Sequence, residues 1–197
     1  MEAIRRVANY AKRHLSKKDA VSLDLGCGTG LFAEAVGVRS IIGVDFSSPL
    51  LTLAQKRMDT VWEKDVFNLQ LSENSVDNIV SLFVMDDYLA AKKRFFFEQV
   101  LRFLKPRGHF FFAAYSPNDE RMGSMCQVIN TKAGLSFEIH LESVSFYKDA
   151  LHLCRFIIEK VEIFRTSGLY DIGTESISVK REFILIVAQK PQTASDL

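Results

Sequence analysis

Residues 20–30, Ala-Val-Ser-Leu-Asp-Leu-Gly-Cys-Gly-Thr-Gly, leave this chain few folds to choose from. Val21, Leu23 and Leu25 alternate, and Gly26, Gly28 and Gly30 then break the run at every second position, the pattern of a buried strand feeding a tight turn. Leu31, Phe32, Ala35 and Val36 follow at helical spacing, so the turn opens a helix that Gly37 ends. Without a Cβ, the turn lets a ligand lie against the backbone. Asp24 restricts the kind of ligand: a carboxylate two residues before Gly26 repels a pyrophosphate and holds an ammonium group, so the turn prefers a zwitterion.

Acids recur where further strands end. Ser40-Ile-Ile-Gly-Val-Asp45 reads as a second buried strand, and Asp45 lies 19 residues after Gly26, where a doubly wound fold sets an acid against the two hydroxyls of a ribose. Ser47, Ser48 and Pro49 supply cap and first-turn chemistry for a helix through about Met58. Thr60–Lys64 is a third strand ending at Asp65, beside the apolar pair Val66 and Phe67. A fourth strand begins near Asp77, which sits at the wrong end for chemistry and is read as structural; past the other end come Val84, Met85, Asp86, Asp87 and Tyr88. Ala90–Leu104 is amphipathic, Leu-Lys-Pro-Arg-Gly108 reads as a turn, and Phe110–Tyr115 is a fifth strand opened by a structural His109.

The flanks are less regular. Ile4, Val7, Ala8, Ala11 and Leu15 mark a leading helix over 2–15. Residues 116–135 break periodicity around Met122, Met125, Cys126, Val128 and Ile129 and read as an irregular apolar insertion, extended toward 147, that lies over the acceptor side as a lid. A helix over Lys148–Ile158, a strand over Lys160–Thr166, a long connection over Ser167–Val179 and a last buried strand over Glu182–Gln189 complete the expectation, with a disordered tail from Lys190.

The 197 residues, 48% hydrophobic and 25% charged, fit a single globular domain, 1–197, with its core over 20–189. A net charge of +1 with scattered Lys and Arg lacks the basic footprint of a nucleic-acid binder. No apolar run is long enough to span a membrane, and the charged start Met-Glu-Ala-Ile-Arg-Arg is not a signal segment, so the expectation is a cytoplasmic protein. Cys27, Cys126 and Cys154 match no metal spacing or redox pair, and no metal is expected.

Leu-Asp-Leu-Gly-Cys-Gly-Thr-Gly resembles motif I of the class I S-adenosylmethionine-dependent methyltransferases; Lys64-Asp-Val-Phe-Asn-Leu resembles motif III, and Leu-Lys-Pro-Arg-Gly the family's Leu-Lys-Pro-Gly-Gly. Helix-strand alternation gives a three-layer α/β fold, and the resemblance implies a Rossmann-like, mostly parallel sheet of seven strands in the order 3-2-1-4-5-7-6, strand 7 antiparallel. It implies S-adenosyl-L-methionine as cofactor and S-adenosyl-L-homocysteine as product. Asp24, Gly26, Cys27, Gly28 and Gly30 would form the turn around it, Asp45 and Ser47 the ribose side, and Phe46 and Leu50 the walls of the adenine. Asp65 would accept from the adenine amino group, with Val66, Phe67 and Leu82 closing the recess. The methyl acceptor is expected to be a small, partly apolar molecule, with its proton taken or its reacting group oriented by Asp86, Asp87, His140 or Tyr147. The chain departs from the family in carrying two acids where a histidine is common, and it lacks the Asn/Asp-Pro-Pro-Tyr/Phe tetrapeptide of amine-directed enzymes. A protein or RNA methyltransferase and a non-catalytic cofactor-binding partner subunit remain as alternatives, while Asp24 disfavours an NAD-dependent dehydrogenase.

Overall fold

The computed structural model describes residues 2–120, 126–130, 136–172 and 175–193. The chain opens with helix α1 (Glu2–Leu15), whose Ala3, Val7, Ala8, Ala11 and Leu15 form one buried stripe. Then come β1 (Ser22–Leu25), α2 (Leu31–Val36), β2 (Ile42–Asp45), α3 (Ser48–Ala54), β3 (Thr60–Glu63) and β4 (Val76–Leu82). The second half holds α4 (Ala90–Phe103), β5 (Leu104–Tyr115), β6 (Cys126–Asn130), β7 (Ser136–His140), α5 (Val144–Leu153), β8 (Ile157–Ile172) and β9 (Glu175–Gln189).

Seven strands form one sheet in the order β3-β2-β1-β4-β5-β9-β8, the expected order with β8 and β9 as strands six and seven. The first five strands are parallel to their neighbours, and β9 runs antiparallel to both β5 and β8. Helices cover both faces, so central strands are apolar on both sides instead of alternating with polar residues. In β5, Phe110 and Phe112 turn toward Phe96, Phe97 and Tyr147, while Phe111 and Ala113 turn toward Val7, Ala11 and Phe32. Asp77 does structural duty, accepting hydrogen bonds from Val21 N–H (2.9 Å) and the Lys105 ammonium (2.8 Å) and so tying β1 and β5 to the start of β4. His109 stacks beside His14 with ring centroids 4.0 Å apart.

Four expectations need correction. The Leu104–Gly108 turn lies within β5 as an irregularity: Leu104 pairs with Val76, the register shifts before Asn78, and Arg107 takes a left-handed φ of 63°. Residues 167–172 and 175–179 are strand where a long connection was expected. β8 and β9 pair continuously from Ile157↔Gln189 to Ile172↔Glu175, because a two-stranded ladder satisfies backbone groups without requiring an apolar face. The helix expected over 148–158 starts four residues earlier, where the Ser143 hydroxyl accepts from Phe146 N–H at 3.2 Å, and Arg155 in the left-handed region (φ 66°) follows its end. The irregular insertion contains an antiparallel pair, β6 with β7, running from Cys126↔His140 to Asn130↔Ser136. Met122 and Met125 lie outside the described residues, and of Cys126, Val128 and Ile129 the backbone alone is described.

Candidate functional site

The glycine turn leaves β1 at the middle of the sheet. Gly26 and Cys27 N–H groups both donate to Val44 O, at 2.7 and 3.0 Å, which anchors the turn to the end of β2. Two of its glycines serve different needs. At Gly26 (φ +76°) a Cβ would lie 2.1 Å from Val84 Cγ2, so Val84 occupies the space a side chain would need. At Gly28 (φ +52°) a Cβ would meet nothing within 4 Å, so the bare backbone borders open space.

That space is a cavity of about 270 Å³ bounded by Gly26, Gly28, Asp45, Phe46, Leu50, Val66, Leu82, Phe83, Val84 and Tyr88. It lies outside the carboxyl ends of β1, β2 and β4, where open α/β sheets bind ligands. Asp45 holds its near wall: Oδ2 accepts from Gly28 N–H and Oδ1 from Ser47 N–H, each at 2.9 Å. Ser47 thus contributes its backbone N–H to orienting the Asp45 carboxylate. Phe46 is 71% exposed at the rim. Leu50, from the first turns of α3, faces the same opening.

Asp24 is buried, and its Oδ2 has no hydrogen-bond partner among the described residues. Burial first, and then the nearby Asp45 charge, push its ionisation up to about pH 7. A carboxylate so placed is stabilised by an incoming cationic donor. The open backbone at Gly28, the Asp45 carboxylate beside it and the uncompensated Asp24 match a ligand that brings a ribose and an ammonium group, the chemistry of S-adenosylmethionine. Cys27 is buried, and burial raises its thiol, chiefly by desolvation with the Asp24 and Asp45 charges adding to it. Gly30 begins α2 at φ 78° and packs on Ala54, where a Cβ would approach Ala54 Cα to 3.2 Å.

Of the expected cofactor residues, the structure brings Gly26, Gly28, Asp45, Phe46, Leu50, Val66 and Leu82 to one cavity. Asp24, Cys27, Gly30 and Ser47 stand behind it as just described. Asp65 is exposed and spends Oδ1 on Phe67 N–H at 2.9 Å, capping the short turn Val66–Asn68. Phe67 packs edge-on against Tyr88, with ring centroids 4.7 Å apart. Phe83 was absent from the expected set. No local pattern marks it, because its entry into the cavity depends on a backbone conformation after β4 that hydrophobic periodicity does not encode.

The expected catalytic residues fall elsewhere. Asp86 is 2% exposed, and its Oδ2 accepts from Tyr115 N–H at 3.3 Å. Tyr147 is fully buried, its ionisation raised well above the usual range by burial and then by the Asp86 and Glu142 charges. The His140 carbonyl accepts from the buried Lys93 ammonium, which also lies 3.8 Å from Glu142 and over the Tyr147 ring. Tyr147 and His140 are thus drawn together around Lys93, the Asp86 charge lies near Tyr147, and none of the three borders the cavity. Only the backbone of Asp87 is described. Among the described residues, no His, Cys, Asp or Glu cluster could hold a metal ion.

A doubly wound sheet with its cavity at this switch point, one carboxylate beside a glycine turn and a second buried behind it, has the charge and shape that suit a nucleoside-bearing zwitterion. The family described as "Methyltransferase domain" matches residues 23–112, a little under half of the chain. The ribosomal protein L11 methyltransferase of Glaesserella parasuis is 26% identical over 98 residues, covering 48% of this chain and 33% of that relative. The match thus spans about a third of the relative's length. In fold, the chain is similar to an S-adenosylmethionine-dependent methyltransferase of Methanosarcina mazei, with a TM-score of 0.68, 19% identity, and 92% of this chain and 97% of that one covered. It is also similar to a chain in the complex of the Haloferax volcanii Trm112 methyltransferase activator with a methyltransferase, at TM-score 0.69 and 20% identity, covering 98% and 92%. No helix among the described residues is long and apolar enough to cross a membrane.

Proposed function

We propose that this chain transfers the methyl group of S-adenosylmethionine, in line, to an O, N or C nucleophile of a small, partly apolar molecule. The observation that carries the proposal is the pairing of an open glycine backbone with two acids of different character. Asp45 faces the cavity and is oriented by Gly28 and Ser47 N–H groups, while Asp24 is buried with an unpartnered oxygen. In this reading, Asp45 accepts from the ribose hydroxyls and Asp24 holds the ammonium group. Val66, Leu50 and Phe46 lie along the adenine.

When bound, the cofactor supplies a methyl group on a sulfonium, electrophilic enough that alignment supplies most of what the reaction needs. The chain's part is to fix that alignment and keep water out. Val84 presses against Gly26 and sets the depth of the cavity. Phe83 and Tyr88 enclose the side at the exit of β4 with apolar surface. Asp45 is the cavity's only carboxylate among the described lining residues, so proton removal is left to solvent or to the acceptor's own ionisation. Asp86, His140 and Tyr147 act in this account by shaping the turn above Lys93. The β6–β7 pair continues that wall as a cover on the acceptor side, supported by the packing of Ile139 and Leu141 against Tyr115.

The resemblance to a ribosomal protein L11 methyltransferase favours a protein acceptor as the second reading. Incubating the full chain with methyl-labelled S-adenosylmethionine and a cell extract, then separating metabolites, protein and RNA, distinguishes the two. Label in the metabolite fraction is expected. Label confined to protein or RNA overturns the small-molecule assignment, and tight cofactor binding with no label in any fraction indicates a non-catalytic subunit.

A further inference from the structure

Five residues other than glycine take a left-handed backbone among those described: Asp19, Asn74, Phe83, Arg107 and Arg155. Four are polar or charged, as expected where a turn alone sets the conformation. Phe83 is different. At φ +62° a bulky apolar side chain clashes with its own backbone, and a glycine or asparagine would make the same turn at less cost. Strain of this kind persists where surrounding contacts hold it in place, and it concentrates at ligand sites.

The contacts that hold it are clear. Phe83 N–H donates to Ala113 O at 2.8 Å, which fixes the turn to β5. Phe83 borders the cavity, and its ring packs against Tyr115 (centroids 4.8 Å) and edge-on against Phe183 (5.6 Å). These two backing rings are themselves braced. The Arg181 guanidinium lies 5.0 Å from the Tyr115 ring and 5.1 Å from the Phe183 ring, and its Nε donates to both oxygens of the buried Asp119, at 3.0 and 2.7 Å. The result is a braced aromatic wall beside the end of β4.

The charges around the wall narrow what can lie against it. Arg181 already covers the backing rings. The Lys92 ammonium lies 5.3 Å from the ring of Tyr88, another cavity residue, and 5.5 Å from the Phe67 ring. Two cations thus already sit on rings around the wall, so an added positive charge there is repelled. A braced ring suits a flat partner face better than a flexible aliphatic chain, since offset or edge-on ring pairs gain beyond the area they bury.

We infer that Phe83 is a specificity-determining residue whose strained backbone presents a flat wall to the methyl acceptor, selecting a planar aromatic acceptor that is neutral or anionic. This rests on the cavity being the methyl-transfer site proposed above.

The test uses the full chain saturated with S-adenosylhomocysteine and three probes of matched size: 2-naphthoate, its saturated decalin-2-carboxylate counterpart, and the cation (2-naphthylmethyl)trimethylammonium. Calorimetry is expected to show 2-naphthoate binding about tenfold more tightly than either of the others, the preference that one ring pair confers. Phe83→Met, of similar volume without a flat face, is expected to abolish that preference with S-adenosylhomocysteine held saturating for each variant; Phe83→Tyr is expected to retain it. Equal affinities for the flat and saturated acids, tighter binding of the cation, or a preference that survives Phe83→Met would each overturn the inference. The comparison among probes in the unmodified protein stands by itself if Phe83→Met does not fold. Failure of S-adenosylhomocysteine to bind at all is a separate result that overturns the methyl-transfer reading and the inference with it.

Discussion

Replacing Asp24 by asparagine changes shape little and removes one buried charge, which makes its effect on folding and on binding calculable. In the folded protein the carboxyl ionises near pH 7, against about 4 in an unfolded chain, because burial and then the Asp45 charge oppose ionisation. Below about pH 3 both states are protonated and ionisation adds no penalty. As pH rises from 4 to 7, the unfolded chain loses its proton first, so the folded state is progressively disfavoured; above 7 both are ionised and the full penalty, about 4 kcal/mol, is present. The substituted side chain escapes that penalty, and its amide replaces a protonated carboxyl whose Oδ2 also lacks a partner among the described residues. Asp24→Asn is therefore expected to be close to the parent in stability near pH 3 and more stable by up to about 4 kcal/mol at pH 8, by urea unfolding. Cofactor affinity moves the other way. Holding an ammonium requires the ionised form, so S-adenosylmethionine affinity in the parent falls below pH 7, by about tenfold per pH unit, while that of Asp24→Asn is weaker at pH 8 and flat with pH. Stability curves that run parallel with pH in the two proteins, or an affinity that Asp24→Asn leaves untouched at pH 8, would refute this account.

Asp45→Ala should weaken S-adenosylmethionine binding by more than about tenfold in calorimetry, from lost charged hydrogen bonds worth about 1.5–3 kcal/mol. It should also lower the melting temperature, because Gly28 and Ser47 N–H groups lose their acceptor. The two turn glycines should separate: Gly26→Ala drives a Cβ to 2.1 Å from Val84 and should be strongly destabilised in thermal melts, whereas Gly28→Ala should stay folded, with only the cost of its φ of +52°, about 1 kcal/mol, and lose cofactor affinity. Double mutation of Gly26→Ala with Val84→Ala should recover part of the lost stability. His14, held neutral by burial and then by His109, ionises near pH 4 in the fold against 6.5 outside it. Its contribution to stability is therefore complete above pH 6.5 and lost as pH falls toward 4, and His14→Asn should flatten that decline in urea unfolding.

Much of the fold could be read because its central strands are buried on both faces and carry strong apolar runs. Leu23 and Leu25, Val44, Ile79 and Val80, and Phe110–Ala114 all fall in the core. The acids at the strand ends were legible for a related reason: a carboxylate closing an apolar run is costly without a purpose, and Asp24 and Asp45 both stand at the cavity or directly behind it. What escaped reading depends on geometry distant in sequence. Residues 167–172 pair with 175–180 as a ladder although their composition resembles a loop, and the Ser143 cap that starts α5 was overlooked in favour of a later apolar period. Asp86, His140 and Tyr147 were grouped as candidate acids and bases from their types and positions, yet it is Lys93, an ordinary helix lysine in the sequence, whose buried ammonium meets the His140 carbonyl and the Tyr147 ring. Phe83 reaches the cavity through a single left-handed residue, and one φ angle leaves no trace in hydrophobic periodicity.

The most direct test is calorimetric titration of the full chain, side by side, with S-adenosylhomocysteine and with NAD. The account predicts one molecule of S-adenosylhomocysteine bound per chain, weakened by both Asp24→Asn and Asp45→Ala, and no heat from NAD, whose pyrophosphate Asp24 opposes. Binding of NAD, or S-adenosylhomocysteine binding that neither substitution weakens, would contradict it.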